Sequence, residues 1–323
     1  MSSNLVTVFG GSGFLGREIV KQLVAADHHV RVAVRHPEAA SFLRRLGPDG
    51  RVELVQADVS DESTVAKAVE GAGSVVNSVG HYVEKPDATF HRIHALGAQG
   101  IARQARQAGV QRLVQISGLG ADAASDSPYV RSRGVGDDLV RETFDGVTIL
   151  RPSAIFGPGD ALLNKLAGIA RLSPIIPLFG DGRTRLQPVF VEDVAEACVR
   201  LLEDSSTAGR IYELGGPDVF AYRELVQLLL DRMGWRRLVV PVPFGVWDVL
   251  AGVMACHPDP PLTRDQVNLL RRDNVVEEGA LTLADLDVRP TRLKEVLLAC
   301  IGVRGETGGT GRDGPVNRGA PGA

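Results

Sequence analysis

The sequence predicts an α/β fold of the Rossmann type, in which helices cover both faces of a doubly wound parallel sheet. Short runs rich in β-branched residues alternate with longer segments of helical periodicity from residue 5 to residue 150. A glycine-rich turn joins the first of these runs to the first helical segment. Alternation of this kind is typical of βαβ units, whose strands pair in parallel.

The elements of this first half follow one another at regular intervals. Strands are predicted at 5–9, 30–34, 52–56, 74–78, 113–117 and 147–150. Helices are predicted in the intervals, at 13–25, 63–69, 88–108 and 133–144. We therefore expect residues 1–150 to form a Rossmann domain with helices on both faces of its sheet.

The regular alternation ends after Arg151 and Pro152. Prolines and glycines then cluster, and long connections separate the remaining helical segments. We expect residues 151–301 to form a smaller, mostly helical lobe on the substrate or partner side, interleaved with the sheet. Residues 302–323 are rich in glycine and almost free of apolar side chains, which predicts a disordered tail.

Composition limits the classes of function. The chain has 323 residues, a net charge of −3 and 44% hydrophobic residues, values that suit a globular protein without a nucleic-acid surface. Cys198, Cys256 and Cys300 are widely spaced, which indicates a reducing compartment rather than a disulfide or zinc framework. His91 and His94 have no carboxylate companion, so no metal site is predicted. We find no signal peptide and no membrane-spanning run, and expect a cytoplasmic protein.

The glycine-rich turn has the spacing G-x-x-G-x-x-G and opens the first predicted helix. The first glycine permits the tight turn, the second lets a pyrophosphate approach backbone N–H groups, and the third lets the helix pack closely. Ser12 adds a hydroxyl donor. The turn therefore predicts a dinucleotide site that includes Gly10, Ser12, Gly13, Phe14, Leu15 and Gly16.

The end of the second strand indicates which dinucleotide is bound. Sites for NAD usually place a carboxylate there, on the ribose 2′-hydroxyl. This strand ends in Arg35 and His36, and an arginine favours a 2′-phosphate. The alternative interpretation is an arginine in solvent. We therefore predict NADPH as the cofactor, with NADH less favoured.

Three further segments, 56–59, 77–80 and 150–160, resemble the extended and atypical short-chain dehydrogenase/reductases. In that family the first segment flanks the adenine, the second lines the cofactor and the third backs the nicotinamide. The resemblance implies cofactor contacts from Asp58, Val59, Asn77, Val79, Gly80 and Pro152. Asp58 and Asn77 are also typical of turns at strand ends, and that alternative stays open.

One branch of this family is similar over most of the chain: the nucleotide-binding accessory subunits of respiratory complex I (NADH:ubiquinone oxidoreductase) and their bacterial relatives. The resemblance runs from about residue 5 to residue 301. Gln187-Pro188 and the segment 263–267 carry it most specifically. It implies that complex I subunits are partners of this protein.

The catalytic motif of the superfamily is incomplete. It consists of a serine near the end of the fifth strand, a tyrosine, and a lysine four residues later that binds the nicotinamide ribose and lowers the tyrosine pKa. Here Ser117 and Tyr129 are present, but Arg133 replaces the lysine. Arginine keeps the charge but has a larger planar head. We expect Tyr129 and Arg133 to contact the cofactor, and turnover is in doubt.

Two functions remain. One is an accessory or assembly subunit that holds NADPH structurally; the other is an NADP-dependent reductase or epimerase-like enzyme acting on a quinone- or isoprenoid-related substrate. The apolar run 243–256 is too short to span a bilayer. It is compatible with a core helix, with docking on a partner, or with peripheral attachment to the inner membrane through Trp247.

Overall fold

The computed structural model describes residues 4–255, 257, 260 and 262–301. The predicted tail at 302–323 lies outside these residues. The described strands are β1 (Leu5–Phe9), β2 (His29–Val34), β3 (Val52–Gln56), β4 (Ser74–Asn77), β5 (Arg112–Ile116), β6 (Thr148–Pro152), β7 (Ile155–Phe156), β8 (Ile175–Phe179), β9 (Arg185–Leu186), β10 (Val189–Phe190), β11 (Ile211–Leu214), β12 (Phe220–Ala221) and β13 (Leu238–Val242).

The α-helices are α1 (Phe14–Ala25), α2 (Glu62–Val69), α3 (Ala98–Gln107), α4 (Pro128–Thr143), α5 (Ala161–Leu172), α6 (Val191–Glu203), α7 (Tyr222–Arg232), α8 (Phe244–Met254), α9 (Arg264–Leu269) and α10 (Leu293–Cys300). Short 3-10 helices occupy Glu38–Leu46, Ser205–Thr207 and Ala284–Leu286, and a π-helix at His91–Gly97 leads into α3. None of the helices described combines the length and apolar character that crossing a membrane requires.

The main sheet confirms the predicted fold class. In the described chain it has seven strands in the order β11-β6-β5-β4-β1-β2-β3, and every neighbouring pair is parallel. The chain moves outward in one direction from β1 to β3 and in the other direction from β4. Ligands of such sheets bind at this reversal, outside the carboxyl ends of the strands.

Helices cover both faces of the sheet, and each face has its own apolar core. On one face α1 and α6 pack together, with Ile19 and Val194 among their buried side chains. On the other face α2, α3 and α4 pack side by side over Val65, Ile101 and Val140. The carboxyl edge of the sheet is therefore left as the place where side chains from several elements meet.

Two elements differ from their predicted bounds. Helix α4 begins at Pro128, five residues before the predicted start, because Ser127 caps it by accepting a hydrogen bond from the Val130 amide (3.4 Å) and proline suits the first helical turn. The predicted helix at 88–108 begins as the π-helix, and only its later part is α-helical.

The second half of the chain contributes to the main sheet as well as to the smaller lobe. Strand β11 pairs with β6 at the sheet edge, and α6 packs on α1. The rest consists of helices and three short two-stranded ribbons, β7–β10, β9–β12 and β8–β13. The domain boundary at residue 150 stays a prediction, since β6 itself continues to Pro152.

Candidate functional site

The glycine turn, residues 10–16, follows β1 at the point where the strand order reverses. Gly10 has φ +75°, and a Cβ there would lie 2.7 Å from the Ser78 carbonyl oxygen. A Cβ on Gly16 would overlap the Gly10 carbonyl oxygen and the Gly11 Cα. The third glycine therefore lets α1 pack against the turn itself.

The start of α1 leaves its backbone N–H groups available to a ligand. Gly13 is the N-cap residue, and it supplies no side-chain hydrogen bond. Asp61, Ser127 and Asp160, by contrast, accept such hydrogen bonds at the starts of α2, α4 and α5. An uncapped helix N-terminus behind a glycine turn fits an anionic pyrophosphate. Ser12 and Gly13 are exposed at the tip of the turn.

Phe14 and Leu15 close the other side of the turn. Leu15 is buried in the core under α1. Phe14 is half-buried, and its ring lies next to the backbone of Gly157 in the second half of the chain. The first turn of α1 thus packs against residues of both halves of the chain.

The ends of β2 and β3 hold two of the predicted cofactor residues. Arg35 follows β2 directly and is exposed. Burial, the charge of Arg133 and the charge of Arg35 lower the pKa of half-buried His81. Both guanidinium groups therefore act on one imidazole at the carboxyl edge. Asp58 follows β3 and accepts a hydrogen bond from the Ser60 amide (2.8 Å), so it also serves a local turn.

Val59 and Asn77 contact residues outside their own turns. Val59 is half-buried and packs against Gly97. Asn77, buried at the end of β4, donates to the Gln115 side-chain oxygen (2.8 Å) and accepts from the Val79 amide (3.1 Å). The amide of Asn77 thereby fixes the backbone turn that leads to Gly80.

Arg133 is buried in this crevice, with a relative exposure of 7%. Its Nη1 donates to the carbonyl of Ile116 (3.1 Å) and, at 3.5 Å, to that of Val79. A Cβ on Gly80 would overlap Nη2, while Nε is buried without a hydrogen-bond partner in the described chain. We name Tyr129, Arg133, Gly80 and the Val79 and Ile116 carbonyls the arginine centre.

Tyr129 lies one helical turn before Arg133, with the guanidinium carbon 5.7 Å from its ring centroid. Three aromatic rings surround it. Tyr82 stacks on it (5.2 Å between centroids), and Phe90 and His94 meet it edge to face at 5.5 Å. The tyrosine is thus held in an aromatic cluster that also contacts the π-helix.

His94 is a buried, neutral imidazole with both ring nitrogens engaged. Its Nε2 accepts from the His81 amide (3.2 Å), and Nδ1 lies 2.9 Å from the Ser132 hydroxyl, which itself donates to the Tyr129 carbonyl. The Nδ1 atom is therefore the protonated one. Burial and the charge of Arg133 lower the pKa of His94 to about 2.

Ser117 is buried just beyond β5, beside Asp137 on α4. Asp137 forms an ion pair with Arg151 (2.9 Å), although burial still raises its pKa. Pro152 is buried next to Arg151, and its carbonyl accepts from the Leu119 amide (2.9 Å). These residues join β5, β6 and α4 behind the arginine centre.

Sequence reasoning missed several of these groups. His81, Tyr82, Phe90 and Gln115 gave no pattern of their own. Asp137 offered a signal, because it lies four residues after Arg133 and so on the same face of a helix.

A family model described as "NAD dependent epimerase/dehydratase family" matches residues 6–215. The chain is 34% identical over 307 residues to "NADH dehydrogenase [ubiquinone] 1 alpha subcomplex subunit 9, mitochondrial" of Arabidopsis thaliana, covering 91% of this chain and 76% of the relative. It is 33% identical over 195 residues to the ceramide reductase of Caulobacter vibrioides, covering 60% of each chain.

Among solved structures, the Citrobacter sp. triphenylmethane reductase complexed with NADP(H) superposes with a TM-score of 0.72 at 21% identity. The match covers 91% of this chain and 99% of that one. At this identity the likeness shows the shared fold.

Proposed function

The chain belongs to the NAD dependent epimerase/dehydratase family, and on that premise we propose that it holds NADPH as a structural ligand. Its role would be that of an accessory or assembly subunit of NADH:ubiquinone oxidoreductase. The observation that carries this proposal is Arg133: the cation stands where catalysts of the superfamily have lysine, and it is tied to two main-chain carbonyls.

The residues present fit the ligand. The uncapped start of α1 offers N–H groups to the pyrophosphate, and Arg35 offers an exposed guanidinium to a 2′-phosphate. Arg133 retains a buried N–H without a partner among the described residues, directed at ribose or nicotinamide oxygens in this proposal. Asp58 and Asn77 would contact the adenine side and the nicotinamide side.

The proposed partners are subunits of complex I. Support comes from the Arabidopsis relative, which matches over 91% of this chain and is named as a subunit of NADH dehydrogenase. In a bacterial cell such an assembly would place this chain at the cytoplasmic face of the inner membrane, as a peripheral protein.

A second candidate function is NADP-dependent reduction of a small quinone- or isoprenoid-related carbonyl substrate. Bound NADPH would supply the hydride, and Tyr129 would deliver the proton from its hydroxyl with Ser117 nearby. This candidate is favoured by the preserved Ser117 and Tyr129 and by the ceramide reductase among the relatives. Against it, the guanidinium of Arg133 lies over the tyrosine ring, with its central carbon 5.7 Å from the ring centroid.

Melting curves with and without NADPH separate the two candidates. For a structural ligand, Arg133→Ala should lower both cofactor occupancy and the NADPH-dependent rise in Tm, because a ligand bound only to the folded state stabilises it by mass action. Tyr129→Phe should leave both nearly unchanged. Arg141→Ala, an exposed arginine on the same helix, is the matched control.

The same variants are assayed for NADPH oxidation with quinone analogues. The structural proposal expects negligible turnover in the wild type and in Arg133→Lys. Robust wild-type oxidation that Tyr129→Phe abolishes, with NADPH affinity retained, would overturn it in favour of the reductase.

A further inference from the structure

The second half of the chain carries an open apolar face on the outer side of the β8–β13 ribbon. The two strands pair in parallel, with Leu238 opposite Ile175 and Val242 opposite Phe179. Ile176 is buried on the inner side. Since side chains alternate along a strand, Ile175 faces outward, and both it and its partner Leu238 are exposed.

Helices extend this face at both ends of the ribbon. At one end Leu172, the last residue of α5, is 90% exposed, and Leu238 beside it is 63% exposed. At the other end Trp247 of α8 stacks on Phe179 (4.2 Å) and donates to the Leu178 carbonyl (3.0 Å). Trp247 therefore fastens α8 to the protein, and the alternative that its ring anchors the chain to a membrane stays a prediction.

With Trp247 turned inward, α8 directs its aliphatic residues outward. Val246, Val249 and Val253 are spaced for one helix face, and the last two are 67% and 70% exposed. Ala251 is the buried side chain of this helix, so α8 is not a core helix. We name these exposed side chains together the apolar strip: Leu172, Ile175, Leu238, Val246, Val249 and Val253.

Basic residues border the α5 end of the apolar strip. Lys165 lies seven residues before Leu172 on one face of α5, and Arg236 is exposed two residues before Leu238. Arg171 and Arg237 both lie near the Trp235 ring, with their guanidinium carbons 5.9 and 5.6 Å from its centroid. Within the part of the chain that the structure describes, none of these four cations forms an ion pair.

We propose that the apolar strip and its four cations form an interfacial membrane-binding surface for an anionic phospholipid bilayer. Aliphatic side chains of such surfaces enter the boundary between headgroups and acyl chains, while arginines and lysines meet the phosphates. The uncompensated cations, on a chain whose net charge is −3, select an anionic surface. This inference gives the peripheral location proposed above a definite surface, and it requires neither a bound nucleotide nor a partner subunit.

Vesicle co-sedimentation of the full chain tests the proposal. The wild type should bind vesicles of phosphatidylcholine with phosphatidylserine, and bind phosphatidylcholine vesicles less. Lys165→Gln with Arg236→Gln should weaken binding to the anionic vesicles about 25-fold, at about fivefold per removed charge. Leu172→Ser with Leu238→Ser should weaken it at least about tenfold.

Matched controls lie outside the apolar strip. Lys67→Gln with Arg141→Gln removes two exposed charges on α2 and α4, and Leu298→Ser removes an exposed leucine on α10. Both should bind vesicles as the wild type does. Circular dichroism and NADPH titration on the same samples show that each variant is folded.

Failure of the wild type to bind anionic vesicles would overturn the proposal, and so would equal losses in the strip variants and the controls. The strip would then be a protein-docking face. Because NADPH binding is measured on the same samples, a chain that binds vesicles without binding NADPH would refute the proposed cofactor and leave the membrane surface intact.

Discussion

The glycine turn and the arginine centre lie at the same edge of one sheet, yet they are built in opposite ways. In the glycine turn, side chains are absent where a ligand must approach, and the helix that follows is left uncapped. In the arginine centre a buried guanidinium fills the space against Gly80 and bonds to carbonyls. Under the proposed function, this comparison predicts that pyrophosphate binding and hydride transfer depend on different regions of one site.

Gly16→Ala tests the packing of the glycine turn and should have the largest effect. Its Cβ would overlap backbone atoms, which cannot move aside as a side-chain end can. We expect a loss of at least about 3 kcal/mol in the free energy of unfolding, measured by urea denaturation. A loss under about 1 kcal/mol would show that the turn is looser than described.

Gly13→Val tests whether the same region binds the pyrophosphate. Gly13 has φ −74°, and the nearest atom to an added Cβ is the Gly10 carbonyl oxygen at 3.2 Å, so the fold should be retained. NADPH and NADH affinities should both fall roughly a hundredfold, or about 2.7 kcal/mol, in fluorescence titrations. Unchanged NADPH affinity would place the phosphates elsewhere.

Acid should destabilise the arginine centre through His94. Its pKa is about 2 in the folded chain and near 6.5 when unfolded, so the unfolded state binds more protons between these values. The contribution of His94 to stability is present above pH 6.5 and is lost as the pH falls. Between pH 6.5 and pH 5 this amounts to about 1.6 kcal/mol.

The contribution of His94 to the free energy of unfolding is measured as the difference between wild type and His94→Gln across the pH range. The difference is needed because Asp160 changes the stability in the opposite direction. Burial raises the pKa of Asp160 to about 6, so its folded form binds the extra proton and gains stability as the pH falls. An equal pH slope in wild type and variant would contradict the assignment to His94. Gly13→Val keeps His94, so its stability should depend on pH as that of the wild type does.

Arg35→Asp should have the smallest effect. It separates the predicted recognition of the 2′-phosphate by Arg35 from the predicted recognition of the pyrophosphate by the glycine turn. A carboxylate beside the 2′-phosphate should reduce NADPH affinity at least about tenfold, or 1.4 kcal/mol, and NADH affinity less. Arg44→Asp, another exposed arginine after β2, is the control. Equal losses for the two cofactors would refute the predicted role of Arg35.

The sequence was sufficient to locate the glycine turn and the strands around it because both depend on local patterns. The first six strands lie within two residues of their predicted bounds. Ser127 and Pro128 also carried the start of α4 as a cap and first-turn signal, although the prediction began the helix at residue 133. Structure that depends only on neighbouring residues can therefore be predicted from the sequence.

The hydrogen-bond partners of Arg133 could not be predicted in the same way. The carbonyl of Ile116 belongs to β5 and that of Val79 to the loop after β4, and only the packed sheet brings them to one guanidinium. The two-residue strands β7, β9, β10 and β12 are likewise too short to have a periodicity of their own. They form because distant segments meet, which is information that no local pattern contains.

The position of β11 has a consequence for how the chain is made on the ribosome. Strand β6 leaves the ribosome with an open edge, and its partner follows only after the segment from Pro152 to Ile211 has been synthesised. At ordinary elongation rates this delay is on the order of several seconds. During that time the unpaired edge of β6 is open to other chains. A nascent-chain chaperone, or slow codons between β6 and β11, would therefore affect the yield more than the stability of the finished protein.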